Sequence, residues 1–310
     1  MKRFLPMGLI IAVLLMAGCA RGAGAAQAEG PVVVASLFAP YDFARQIARG
    51  TGARVEMLMK PGVESHAFDP APADMLRVAQ ADLFIYVGGE SEAWVDRLLA
   101  APEMGAHALR LMDAVAVLDE EIVPGMQVEE EEEEAEPDEH IWTSPVNAMA
   151  LSRAIADALI ALDPQNADAY KANLEAYLAE LTELDRAFEA VVQGGARREI
   201  VFGDRFPMRY FTERYALTYA AAFPGCGRET EPSAATVAFL IGEVRANGIP
   251  VIYHVEQGNV RMAETIAGET GARAMLMHAC HNISKDDFEA GATYVSLMRN
   301  NVEALKVGLS

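Results

Sequence analysis

Residues 165–192, QNADAYKANLEAYLAELTELDRAFEAVV, run for 28 residues without a glycine or a proline. Leu174, Leu178, Leu181, Leu184 and Phe188 recur at three-to-four spacing, which places them on one helix face. Asp163-Pro164 is a start signal and Gly194-Gly195 a stop. At 1.5 Å per residue such a helix is about 40 Å long, a rigid spine. Just upstream, Ser144 and Pro145 open a second helix that runs to Ala161, with the serine as N-cap and the proline in the first turn.

Outward from these helices, the chain alternates short β-branched or aromatic runs with helical patterns on both sides. Before the spine the strands are 31–36, 54–59, 81–87 and 107–111, with helices at 41–50, 72–80 and 91–101. After it the strands are 199–202, 217–223, 250–254 and 272–277. The helices there are 206–215, 233–247, 259–270 and a closing 286–307. Strand–helix alternation implies βαβ units and parallel sheets. The expected fold is α/β with two lobes, each a small, mainly parallel sheet flanked by helices, joined by one long rigid helix. The expected boundaries are 31–143 for the first lobe, 144–195 for the linking helices and 196–310 for the second lobe.

The chain has 310 residues, 45 acidic against 25 basic, and a formal net charge of −20. With no basic cluster to neutralise phosphates, nucleic acid is excluded as a partner. Lys2 and Arg3 precede an apolar run at 7–16. That run is shorter than the roughly 20 residues a bilayer span needs. It ends in Ala17-Gly18-Cys19, which resembles a bacterial lipobox. The expectation is a lipoprotein signal peptide over 1–18 and a lipidated Cys19 on a small, polar tether over 19–30. Cys226 and Cys280 are the other cysteines. An even pair outside the membrane suggests a disulfide between them. Residues 129–134 are six consecutive glutamates within an acidic stretch, 129–139. Adjacent like charges repel, so this is expected to be a solvated loop.

The histidines cluster in motifs. His66 lies in PGVESHAFDP (61–70), after a predicted strand, and His140 in DEHIWTSP (138–145), before a predicted helix. His278 and His281 flank Cys280 just past another strand. Loops at the carboxyl ends of parallel strands are where open α/β sheets bind ligands. Imidazoles on such loops from both halves suggest a metal held between two lobes.

The lipobox, the spaced set Gly62, His66, Phe68, Pro70, Pro72 and Asp74, the set Asp138, His140, Trp142 and Pro145, the spine, and Thr230-Glu-Pro-Ser233 together resemble the zinc/manganese-specific solute-binding lipoproteins of bacterial ABC metal importers, in their zinc branch. The resemblance covers residues 31–310. It implies a non-enzymatic protein that captures Zn²⁺ in the interlobe cleft and delivers it to an ABC-type membrane permease. It also implies a monomer, periplasmic or at the cell surface, anchored to the cell membrane by lipid. Carried onto this chain, the ligands are His66, His140 and His278, with His281 as the competitor of His278. The family's third ligand falls at Gly203, which leaves Asp204 as the nearest donor. Neutral imidazoles favour zinc, whereas a manganese-specific relative would offer more oxygens. The chain has no P-loop and is not expected to use ATP itself. Two other readings are a secreted zinc hydrolase, with Glu64 or Glu256 as its base, and a surface adhesin.

If the lipobox reading holds, Cys19→Ala abolishes incorporation of labelled fatty acid and leaves the protein released or unprocessed. A wild-type chain that takes up no label, with a mutant that still partitions into membranes, refutes it.

Overall fold

The computed structural model describes residues 30–64, 68–100, 107–127, 136–226 and 231–310. The leader, Cys19, His66 and the glutamate run lie outside the described residues. The first half contains β1 (Val32–Ala35), α1 (Phe38–Ile47), β2 (Arg54–Met57), α2 (Pro72–Ala79), β3 (Leu83–Tyr86), α3 (Trp94–Leu99) and β4 (His107–Arg110). Two long helices follow, α4 (Pro145–Leu162) and α5 (Ala167–Gly194). The second half runs β5 (Glu199–Phe206), α6 (Arg209–Tyr215), β6 (Thr218–Pro224), α7 (Ala234–Asn247), β7 (Val251–His254), α8 (Val260–Thr270), β8 (Arg273–Leu276), α9 (Lys285–Glu289) and α10 (Tyr294–Gly308). The sheets have orders β2-β1-β3-β4 and β6-β5-β7-β8, and every strand pairing is parallel. Both are wound the same way, so the strand order reverses between β1 and β3 and again between β5 and β7. Such switch points open crevices at the carboxyl ends of the strands.

The spine, α5, is 28 residues long and buries Leu178, Leu181, Leu184 and Phe188 of the stripe read from the sequence, together with Tyr170, Tyr177 and Val192, while Leu174 is partly buried. It packs on α4, on α1 of the first lobe, and on α6 and α10 of the second. Asp185 holds α6 against it, accepting from Arg214 Nε and Nη2 at 3.1 and 2.6 Å and from the Tyr215 hydroxyl at 2.8 Å. The main apolar core runs from Val33 through the spine to Leu309, with a smaller cluster on the other face of each sheet. By length and composition α4 could cross a membrane, but its buried face packs on α5 and α1.

The predicted closing helix is broken in two. Gly291 adopts φ +75°, a left-handed conformation that ends helices. The Thr293 side chain then caps α10, accepting from the Ser296 amide at 3.1 Å. Strand β5 continues past the predicted 202 to Phe206, with an irregular register between Phe202 and Arg205. A strap, residues 118–127, crosses from the first lobe to the second. The Gln127 amide donates to the Ala222 carbonyl at 2.9 Å, which covers part of the edge strand β6.

The expected Cys226–Cys280 disulfide is not formed, and both thiols are free. Cys226 has its amide on Glu120 Oε1 at 2.7 Å and its thiol near Glu139, Glu120 and Asp138. Cys280 is fully buried in the shared core, near Glu256 and Asp42. The thiols therefore sit in different pockets, and sequence parity carried no information about that separation. Soluble protein lacking Cys19, unfolded without reductant, should titrate two thiols. Zero thiols under those conditions contradicts the separation.

Candidate metal centre

The strap returns towards the first lobe through a narrow neck. The Glu120 amide donates to Glu136 O at 2.7 Å and the Asp138 amide to Leu118 O at 2.9 Å, and Asp119 bridges Pro137. The Tyr210 hydroxyl, from the second lobe, donates to the Asp138 carbonyl at 2.7 Å. This neck delivers Asp138, Glu139 and His140, all buried, to the cleft.

Asp138 Oδ1 accepts from the His140 amide at 2.8 Å and lies 3.1 Å from His140 Nδ1. A carboxylate there favours the Nδ1–H tautomer and leaves Nε2 to act as a ligand, the usual outer support of a metal-binding histidine. Burial disfavours the imidazolium, but the nearby Asp138, Glu139 and Glu120 carboxylates outweigh it and raise the His140 pKa above its ordinary value.

Glu139 Oε2 accepts from the Ser91 amide at 3.1 Å, and its Oε1 lies 3.8 Å from His281 Nε2. Burial pushes the Glu139 carboxyl up, with His140 acting against that shift. A Cβ at position 89 would sit 2.1 Å from Glu139 Oε2, so the fit of Glu139 requires Gly89. The His281 and His140 rings stand edge-on at 5.1 Å and 87°, and Trp142 lies 5.0 Å from the His281 ring. One ligand atom from each of Glu139, His140 and His281 lies within 4.8 Å of the others. Ligands around a tetrahedral zinc stand about 3.4 Å apart, from Zn–N of about 2.0–2.1 Å. Small side-chain movements bring this group to that spacing.

The structure places the other sequence candidates as follows. His281, the competitor, joins His140. His278 does not: its backbone is held by Asn301 on both sides, N to Oδ1 at 2.7 Å and O from Nδ2 at 2.8 Å. Its pKa is lowered by burial, with Asp287 and His254 as its charged neighbours. Asp204 Oδ1 accepts from the Arg205 amide at 2.9 Å and Oδ2 from the Val255 amide at 3.1 Å. Its carboxylate thus ties the ends of β5 and β7 and lies outside the three-residue group. At position 203 a Cβ would stand 2.8 Å from Ala263 Cα on α8, so the chain has no room there for the side chain expected of the family. His66 lies outside the described residues.

Sequence reading missed Glu139 as a donor, although it sits beside His140 in the same motif, because a glutamate in an acidic stretch carries no ligand signal of its own. Glu256 and Glu64, considered as hydrolase bases, are engaged elsewhere. Glu256 accepts from the Ala279 and His281 amides at 2.7 and 3.1 Å. Burial pushes its pKa up to about 7, against the pull of those amides. Glu64 Oε1 pairs with Arg205 Nη1 at 2.8 Å across the lobes. Glu64, Arg205, Glu256, His140 and His281 line one small cavity between the lobes.

A family model described as "ZnuA: Zinc-uptake complex component A periplasmic" matches residues 33–308. The zinc-binding lipoprotein AdcA of Streptococcus pneumoniae (strain ATCC BAA-255 / R6) is 31% identical over 288 residues, covering 90% of this chain and 56% of that protein. The chain therefore spans little more than half the length of that relative. The high-affinity zinc uptake system protein ZnuA of Bacillus subtilis (strain 168) is 29% identical over 307 residues, covering 96% and 94% of the two chains. The crystal structure of the Zn(II)-bound ZnuA-like domain of Streptococcus pneumoniae AdcA superposes with a TM-score of 0.75 at 28% identity, covering 90% of this chain and 99% of that one.

Proposed function

Because the chain belongs to the zinc-uptake complex component A family, the solute-binding proteins of metal import systems, we propose that it captures extracytoplasmic Zn²⁺ in its interlobe cleft and hands it to an ABC-type permease. The ligands in this reading are His140 and Glu139 from the first lobe, His281 from the second, and His66. His281 is taken over His278, and Asp204 is assigned to the turn it ties. We also assign lipidation to Cys19 and delivery as a monomer, with lobes at 31–143 and 196–310 around linking helices at 144–195.

The observation that carries the reading is the buried approach of Glu139, His140 and His281 to within 4.8 Å. A histidine pair with one carboxylate suits zinc, whereas manganese prefers an oxygen-rich, higher-coordinate shell. Asp138 supports His140 from behind, as outer carboxylates do at zinc sites. The hydrolase reading loses its bases: Glu256 is tied to the 279–281 amides and Glu64 to Arg205.

Zinc requires neutral imidazoles, so protons compete with it. Because the pKa of His140 is raised above the ordinary 6.5, affinity is full above that raised value and declines as pH falls through it. The test is calorimetric titration of metal-free protein with zinc and manganese at several pH values. His140→Ala and His281→Ala should each weaken zinc by more than the roughly 10–100-fold typical of an outer-shell change. His278→Ala should leave it close to wild type. Manganese preference, or equal zinc affinity in wild type and His281→Ala, rejects the site.

A further inference from the structure

Resting on that reading of the cleft, we propose that Glu256 is the positioning residue for the second lobe's ligand, setting where the His281 imidazole points. Glu256 follows β7 at the switch point of the second sheet. Its Oε2 accepts from the Ala279 amide at 2.7 Å and its Oε1 from the His281 amide at 3.1 Å, and the Cys280 amide also points to it. Three successive N–H groups thus converge on one carboxylate, the arrangement of an anion nest. The nest needs a left-handed residue at its centre, and Cys280 supplies it with φ +58°. A cysteine rarely enters that region, so the conformation persists only because neighbours hold it.

Both ends of this loop are fixed independently of Glu256. Upstream, Asn301 brackets His278. Downstream, the Asn282 side chain donates through Nδ2 to Lys60 O at 2.9 Å and Val63 O at 2.7 Å on the first lobe. In the segment between them, 279–281, the Trp142 indole and the Phe38 amide hold the carbonyls of Ala279 and His281, and the Glu256 carboxylate gathers the amides. The resulting path sets the His281 ring 5.1 Å from His140 and 5.0 Å from Trp142. Glu256 acts on the metal through His281 and is not counted among the ligands.

The test compares wild type, Glu256→Gln, Glu256→Asp, His281→Ala and the Glu256→Gln/His281→Ala double variant. Three readouts are taken: zinc affinity by competition with a chromophoric chelator, thermal midpoint, and the visible absorption of the cobalt(II)-loaded protein. Glu256→Gln should lose roughly 10–100-fold in zinc affinity, the range for outer-shell partners, and its cobalt bands should shift. Glu256→Asp, which returns an anion to the nest, should recover part of the loss; it carries the test if Glu256→Gln does not fold. In the His281→Ala background Glu256→Gln should add nothing, because the two act through one ligand. A lowered thermal midpoint with unchanged affinity and cobalt bands overturns the positioning role, as do additive losses in the double variant. Wild-type protein that binds neither ion overturns the site reading together with this inference. Tight wild-type binding with Glu256→Gln and Glu256→Asp unchanged overturns this inference alone.

Discussion

One apolar core shared by both lobes and the spine is the constraint on which the site depends. Each parallel sheet is closed by helices on its faces and open only at its strand ends. Because α5 and α4 share this core with both lobes, the carboxyl edges of the two sheets border the cleft that His140 and His281 line. Hydrogen bonds between the lobes then set the loops at that gap. The Trp142 indole donates to Ala279 O at 2.7 Å, and the Tyr294 hydroxyl to Trp142 O at 2.7 Å. The Phe38 amide donates to His281 O at 3.2 Å and the Gly62 amide to Ile283 O at 2.8 Å. The loop that carries His281 is therefore built as much from the first lobe as from the second.

The electrostatics of the gap favour a cation. Glu120, Asp138, Glu139 and Glu256 are gathered around two imidazoles in a largely dry region. Burial raises the pKa of Glu120, Glu139 and Glu256, because loss of water disfavours their charged forms. A bound cation would offset that loss of solvation for the carboxylates that face it. The Arg205–Glu64 pair, with 14% of the arginine side chain exposed, lines the cavity wall as a neutral ion pair. It also makes one more contact between the lobes.

Much of the fold was legible because its signals are local. The spine is an uninterrupted periodic run, and Ser144 caps α4 as expected, accepting from the Asn147 amide. His140 was legible for the same reason, since its support, Asp138, lies two residues away. Other features are set at long range. Choosing between His278 and His281 depends on Asn301 and Glu256, which lie 23 and 25 residues from the histidines they hold. Neither partner leaves a trace in the local pattern. The missing side chain at Gly203 looked like a lost ligand, yet the glycine follows from how closely α8 packs on β5. The break at Gly291 was overlooked because apolar spacing continues across it. The disulfide was inferred from parity alone, and parity does not measure distance.

In the proposed site the cation sits between the lobes against Glu139, His140 and His281. A crystal of the zinc-loaded protein, measured on both sides of the zinc absorption edge, tests it most directly. The expected result is one anomalous peak bonded to His140 Nε2, His281 Nε2 and a Glu139 carboxylate oxygen. A peak on His278 or Asp204, with the His281 imidazole unbound, contradicts it.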